Sequence, residues 1–230
     1  MKRFYKSATA AELGPGAHEV RLDGRPIRTP ARKSLILPTA ALAEASAEEW
    51  NSQDEKLDMA KMPMTALAYA ALDRIEADPE HFIQETARFA ETDLLCYRAP
   101  SPETLRARQA AAWDPVLEWL SDRYGARLLL AEGVMPIAQP AEAIEAVAAA
   151  LSELNAFRLT VAHSAARIAG SAALALAMTD RFRNADAVAD ISSVDEAFQM
   201  EEWGQDAEAI ALLDRKRAEL KELQRFLDLT

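Results

Sequence analysis

Cysteine, glycine and histidine are all scarce in this chain, and each scarcity removes a class of chemistry. Cys96 is the only cysteine in 230 residues. One thiol cannot build a disulfide framework, and neither CxxC nor CxxH spacing occurs, so zinc-ribbon and dithiol redox sites lack their residues. Cys96 is expected in the core of a cytoplasmic protein, because buried thiols behave as small hydrophobes and reducing compartments keep them free. The seven glycines form neither a dinucleotide fingerprint nor a P-loop, so the usual backbone cradle for phosphates is missing. A GxSxG nucleophile elbow is also missing. His18, His81 and His163 are widely separated and have no metal-ligand spacing, and His163 reads as a satisfied core or interface histidine. Long apolar runs are absent too. The longest spans Ile168 to Met178, whereas a bilayer needs roughly twenty residues. Lys2 and Arg3 open the chain without an apolar stretch behind them, so no secretory signal is expected.

What the chain does have is acid. Its net charge is −11, which repels nucleic acid unless a basic patch compensates. The charge is uneven. Between residues 186 and 208 lie Asp186, Asp190, Asp195, Glu196, Glu201, Glu202, Asp206 and Glu208, with no Lys or Arg. Between residues 21 and 33 lie Arg21, Arg25, Arg28, Arg32 and Lys33 against Asp23 alone. These are either two solvated faces or two surfaces that steer partners by charge. Half of the residues are hydrophobic and 27% are charged, an ordinary globular balance that supports a core without metals or disulfides.

Patterning along the chain predicts an α+β fold: a small N-terminal β-rich domain over residues 1–60 and a larger, bundle-like helical domain over residues 61–230. Asp23-Gly24 supplies the positive-φ pair of a tight hairpin turn, with Val20, Leu22 and Ile27 as core candidates. Pro26 cannot donate to a ladder, which places its strand at an edge. Leu35-Ile36-Leu37 reads as a further short strand. Thr39 caps a helix to about Gln53, and Pro63 opens another that carries Met64, Leu67, Ala71 and Ile75 on one stripe. Asp78-Pro79 starts a helix reaching Leu94. A helix carrying Gln109 follows, and Asp114-Pro115 is expected to restart it. Residues 127–130 read as extended, and Pro140 opens a helix carrying Val147 and Leu151. Residues 157–178, rich in Ala, Ser and Gly, predict the central helix of the bundle. Helices over about 186–203 and 206–227 finish the chain.

The segment Val194 to Gly204 is the most unusual. Continuous helical spacing would put Val188, Ile191, Asp195, Phe198 and Glu202 on one face, and carboxylates on an apolar stripe are costly to bury unpaired. They are either paired to bundle arginines or part of an exposed recognition strip. Asp195, Glu196, Phe198, Gln199, Glu202 and Trp203 are the candidate partner contacts. Among the other tryptophans, Trp50 and Trp113 read as structural or domain-packing residues.

Four blocks carry a family likeness: Leu22 to Pro30; Leu35 to Ala43 leading to Glu49-Trp50; Glu91 to Arg98 with Gln109 and Trp113-Asp114-Pro115; and Asp195-Glu196, Phe198-Gln199 and Trp203-Gly204. Together they resemble the ATP synthase assembly chaperones that bind the alpha subunit of the catalytic head, the "ATP-twelve" family. The resemblance implies two domains, no catalysis, no cofactor, no metal and no small-molecule substrate. It implies the alpha subunit as partner and a role for the acids Asp195 and Glu196 in chaperone action. It also matches Trp50 to the family's helix-end tryptophan, assigned to folding or domain packing. The family's mitochondrial members carry a presequence and this chain starts almost at the first block, so a bacterial, cytoplasmic form is expected. Two other readings compete: an enzyme of unrecognised type with carboxylates in an interdomain cleft, and a generic protein-interaction scaffold.

Overall fold

A computed structural model describes residues 2–133, 135–204 and 206–230. The chain divides into two compact units. The first takes residues 1–79, 156–160 and 225–230, and the second takes residues 80–155 and 161–224.

The first unit is built on a three-stranded antiparallel sheet in the order β1 (Ala8–Gly14), β2 (Ala17–Leu22), β3 (Arg25–Pro26). Asp23 and Gly24 turn β2 into β3 at φ +48° and +81°, as their chemistry predicts. The short strand containing Pro26 lies at the sheet edge, where a missing donor does no harm. Leu35 to Leu37 do not form the expected strand. They meet β2 at one bridge, His18 to Leu37, since Pro38 follows at once and cannot extend a ladder. Helix α1 (Ala40–Asn51) lies on β1 and β2. Thr39 caps it by accepting from Leu42 N at 3.1 Å. At its end the Asn51 amide accepts from Ala8 N at 2.7 Å and donates to Ala8 O at 2.8 Å, acting as one more strand partner for β1. Helix α2 (Pro63–Ala70) follows and widens into a π turn over Ala71–Ile75. Buried Glu49 caps α2 from α1, accepting from Met64 N and Thr65 N at 2.7 and 2.8 Å.

The second unit is helical. Helix α3 (Pro79–Ala87) stops short of the expected Leu94 and passes into two tight turns, Arg88–Ala90 and Leu94–Cys96. Asp93 separates those turns and accepts from Leu95 N, which pulls the chain out of helix. Strands β4 (Tyr97–Arg98) and β5 (Ala131–Glu132) pair in parallel. Between them runs α4 (Glu103–Tyr124), which contains Pro115 without restarting there. Burial of Trp113, Val116 and Leu120 holds the helix across the one missing donor. Helix α5 (Ala141–Ser152) follows.

The expected helix over residues 157–178 is two helices, α6 (Ala156–Ala169) and α7 (Ala172–Thr179). Gly170 at φ +66° ends the first, and Ser171 caps the second by accepting from Leu174 N at 3.0 Å. All of α7 is buried, and it packs on α4, α5 and α8 (Ala185–Ile191). It is therefore the central helix of the bundle. Its Leu174, Leu176 and Met178 contribute on the order of 2 kcal/mol each by burial. The expected helix over residues 186–203 is also divided, into α8 and α9 (Val194–Trp203). Ser192 and Ser193 are both buried and break it, Ser193 at φ −131° and ψ 23°, because serine hydroxyls compete for backbone partners. Helix α10 (Ala207–Leu229) ends the chain.

Candidate partner-binding site

The acid-rich segment sits on α9, in the second unit, and α4 sets its position. Trp113, 1% exposed, donates its indole N–H to Ile191 O at 2.8 Å, which fixes the end of α8. Arg98 lies over the Trp113 ring at 5.1 Å and donates to Asp114 at 2.6 Å. Gln109 is buried on the same helix. It accepts from Ala99 N at 2.8 Å and donates to Asp195 Oδ1 at 2.7 Å. Asp195 is thus a half-buried carboxylate with a specific partner. As residues of the first turn of α9, Asp195 and Glu196 also face the positive end of the helix dipole.

The break at Ser192-Ser193 removes the single face on which Val188 and Ile191 would align with Asp195. Within α9 the candidate residues separate by exposure. Phe198 is 8% exposed and takes the Arg108 guanidinium at 5.2 Å from its ring centroid. Arg108 also pairs with Glu201 at 2.6 Å. Glu196, Gln199 and Glu202 are exposed, and Trp203 is 82% exposed at the helix end.

Two open cavities flank this helix. One, of about 560 Å³, is lined by Arg167, Glu196, Leu212, Lys216 and Glu219. The other, of about 410 Å³, is lined by Val194, Ala197 and Met200 with Arg108 and Arg217. Lys216 donates to Ser192 O at 2.8 Å. Burial lowers its pKa, and the nearby Glu196 carboxylate opposes that effect.

Sequence reasoning did not pick out Arg108, Lys216 or Arg217. The run Arg215-Lys216-Arg217 after so long an acidic stretch was the available signal. Arg217 pairs with Asp186 at 3.1 Å and Asp190 at 2.6 Å, and Lys221 pairs with Asp186 at 3.0 Å. The acidic block is therefore partly neutralised from α10. Among the described residues Glu202, Asp206 and Glu208 make no ion pair and are exposed. Trp50 lies in the first unit, buried at the end of α1. Its carbonyl accepts from the Tyr5 hydroxyl at 2.5 Å, and the two rings meet edge to face. His163 is buried against Phe82, with Thr86 Oγ1 at 3.1 Å from its Nδ1.

Among the described residues no group of three or more His, Cys, Asp and Glu side chains could hold a metal ion. No described helix is long and apolar enough to cross a membrane. Helix α9 thus shows Glu196, Glu202 and Trp203 to solvent above a side tied to α4 through Asp195 and Phe198. A model of the ATP12 chaperone protein family matches residues 2–121. Atp12 of Paracoccus denitrificans has the same fold. It is 36% identical, the match covers 100% of this chain and 98% of that one, and the TM-score is 0.93. A solved protein of Agrobacterium tumefaciens is 38% identical over 99% of this chain and 85% of its own, with a TM-score of 0.91. The mitochondrial protein atp12 of Schizosaccharomyces pombe is 25% identical over 215 residues, 88% of this chain and 74% of that protein. The chain belongs to the ATP12 chaperone protein family, a class of chaperones and not of enzymes. Helix α9 lies beyond the residues the family model matches.

Proposed function

We propose that this protein binds the unassembled alpha subunit of the F-type ATP synthase catalytic head and covers the surface meant for beta. The family supports an assembly chaperone, and the exposed strip on α9 is the observation that carries the contact. Glu196, Gln199, Glu202 and Trp203 touch the client. Asp195 and Phe198 hold the helix from beneath, through Gln109 and Arg108. An unassembled subunit exposes apolar surface that associates non-specifically. A covering partner must later yield to the true neighbour, so a small, partly charged interface with one aromatic anchor suits the task better than a wholly apolar one. The similarity to Paracoccus denitrificans and Agrobacterium tumefaciens proteins supports a bacterial, cytoplasmic setting.

The test is co-purification with isolated alpha subunit, with beta as control. Retention of alpha and not beta at modest salt is expected. Equal retention of both would remove the client assignment and leave a general interaction scaffold.

A further inference from the structure

The base-rich hairpin is not used by the surface on α9, and in the first unit it borders an open groove of about 720 Å³. That volume falls within the roughly 300–1,000 Å³ typical of ligand sites. Trp50, Tyr69, Met59 and Phe4 give the groove an aromatic and apolar lining. Phe4 is 65% exposed and Met59 43%, a large apolar surface left open to water. Arg25 and Arg28 stand at its rim. Neither makes an ion pair among the described residues, and Arg28 donates only to Arg32 O at 2.9 Å.

The one acid at this rim, Asp23, is already engaged. It accepts from Lys6 N at 3.1 Å and from Ser7 N at 3.0 Å. Those bonds keep its carboxylate ionised, so the rim carries two arginines against one acid, a net positive patch on a chain of net charge −11. Trp50, 6% exposed, forms part of the groove's lining.

We propose that this groove holds an extended, acidic segment of a partner protein. An aliphatic or aromatic side chain of that segment sits among Phe4, Trp50, Met59 and Tyr69, and a neighbouring carboxylate sits on Arg25 and Arg28. Charge selects the occupant. Arginine presents a planar fork that carboxylates match, and the rest of this acidic protein repels polyanions as large as nucleic acid. The site is separate from the α9 surface and does not depend on which client that surface takes.

The probe is a fluorescein-labelled decapeptide of alternating Glu and Leu with one central Phe, titrated with the full chain. A Lys-for-Glu counterpart is the control. The acidic peptide is expected to bind, with affinity falling as salt rises, and the lysine peptide to bind at least about tenfold more weakly. Arg25→Glu/Arg28→Glu and, separately, Phe4→Ser/Met59→Ser should each weaken the acidic peptide by about tenfold or more. All four are exposed positions, so the variants should melt as the parent does. The Trp50 indole N–H resonance, assigned with Trp50→Phe, should move during the titration. Equal affinity for both peptides, or full affinity in the Arg25→Glu/Arg28→Glu variant, would overturn the proposal. So would an anilinonaphthalene dye that saturates the groove and is indifferent to the arginines, which would mean a small apolar ligand. Dimerisation abolished by Phe4→Ser/Met59→Ser would make the occupant a second copy of this chain.

Discussion

Reversing the charge at Glu196 should separate binding from folding. Glu196 is exposed in the first turn of α9, with Lys216 as its nearby countercharge. Changing it to lysine removes a favourable helix-dipole interaction of about 0.3–1 kcal/mol and an exposed ion attraction of about 0–1 kcal/mol. It also sets a like charge beside a half-buried ammonium. The sum is about 1–2 kcal/mol. For a domain of this size each kcal/mol moves Tm by roughly 2–4 °C, so Glu196→Lys should melt only several degrees below the parent. Glu196→Gln should melt within about 2 °C, since it keeps the side chain and adds no repulsion. Client retention should fall in the order parent, Gln, Lys, whereas circular dichroism should be unchanged. The assay pairs a thermal melt with the alpha pull-down on the same preparations. A drop of more than about 10 °C in Glu196→Lys would mean that Glu196 is a structural ion-pair partner, and the contact assignment would be wrong.

Three further outcomes follow from the same geometry. Asp195→Ala leaves the buried Gln109 Nε2 without its acceptor and should cost about 1–3 kcal/mol in urea unfolding; Gln109→Ala combined with Asp195→Ala should cost less than the two singles added, and strict additivity would disprove the clamp. Asp93 is fully buried, and desolvation raises its pKa from 3.8 to about 6 against the hydrogen bonds that favour its charge. The folded state then holds a proton that the unfolded state has released between those values, so this group adds stability as pH falls through about 6 and loses it as pH rises. Asp93→Asn should lack that slope, at most ~1.4 kcal/mol per pH unit, and identical slopes in parent and variant would refute the assignment. Burial, with Asp93 nearby, pushes the Cys96 thiol up to about 12, so Ellman's reagent at pH 8 should label it only after unfolding. Prompt labelling of native protein would contradict its place in the core.

Local chemistry carried most of what could be read from the sequence. The Asp23-Gly24 turn, the Thr39 cap and the edge position of Pro26 are decided within a few residues, and each is present in the structure. The misreadings have local causes too weak to see in advance. Gly170 and Ser192-Ser193 each end a helix where apolar periodicity continues, while Pro115 fails to end one because its neighbours are buried. Strand β1 carries little β preference in its own residues. It is a strand because β2 pairs with it from Ala8 to Gly14 and Asn51 completes its end. The candidate site was legible as a list of acids and aromatics and not as a surface. What tells exposed Trp203 from buried Phe198, or free Glu202 from engaged Asp195, is a set of contacts from α4 and α10. The Gln109 bond to Asp195 spans 86 residues of chain, and no spacing rule reaches that far.

The most direct measurement is light scattering from isolated alpha subunit diluted out of denaturant, with and without this protein, followed by addition of beta. A stoichiometric amount is expected to suppress scattering, and beta is then expected to displace the chaperone and take alpha into the alpha–beta complex. Unchanged aggregation of alpha, or suppression that beta cannot reverse, would contradict the idea of a partner that covers an unfinished interface and then gives it up.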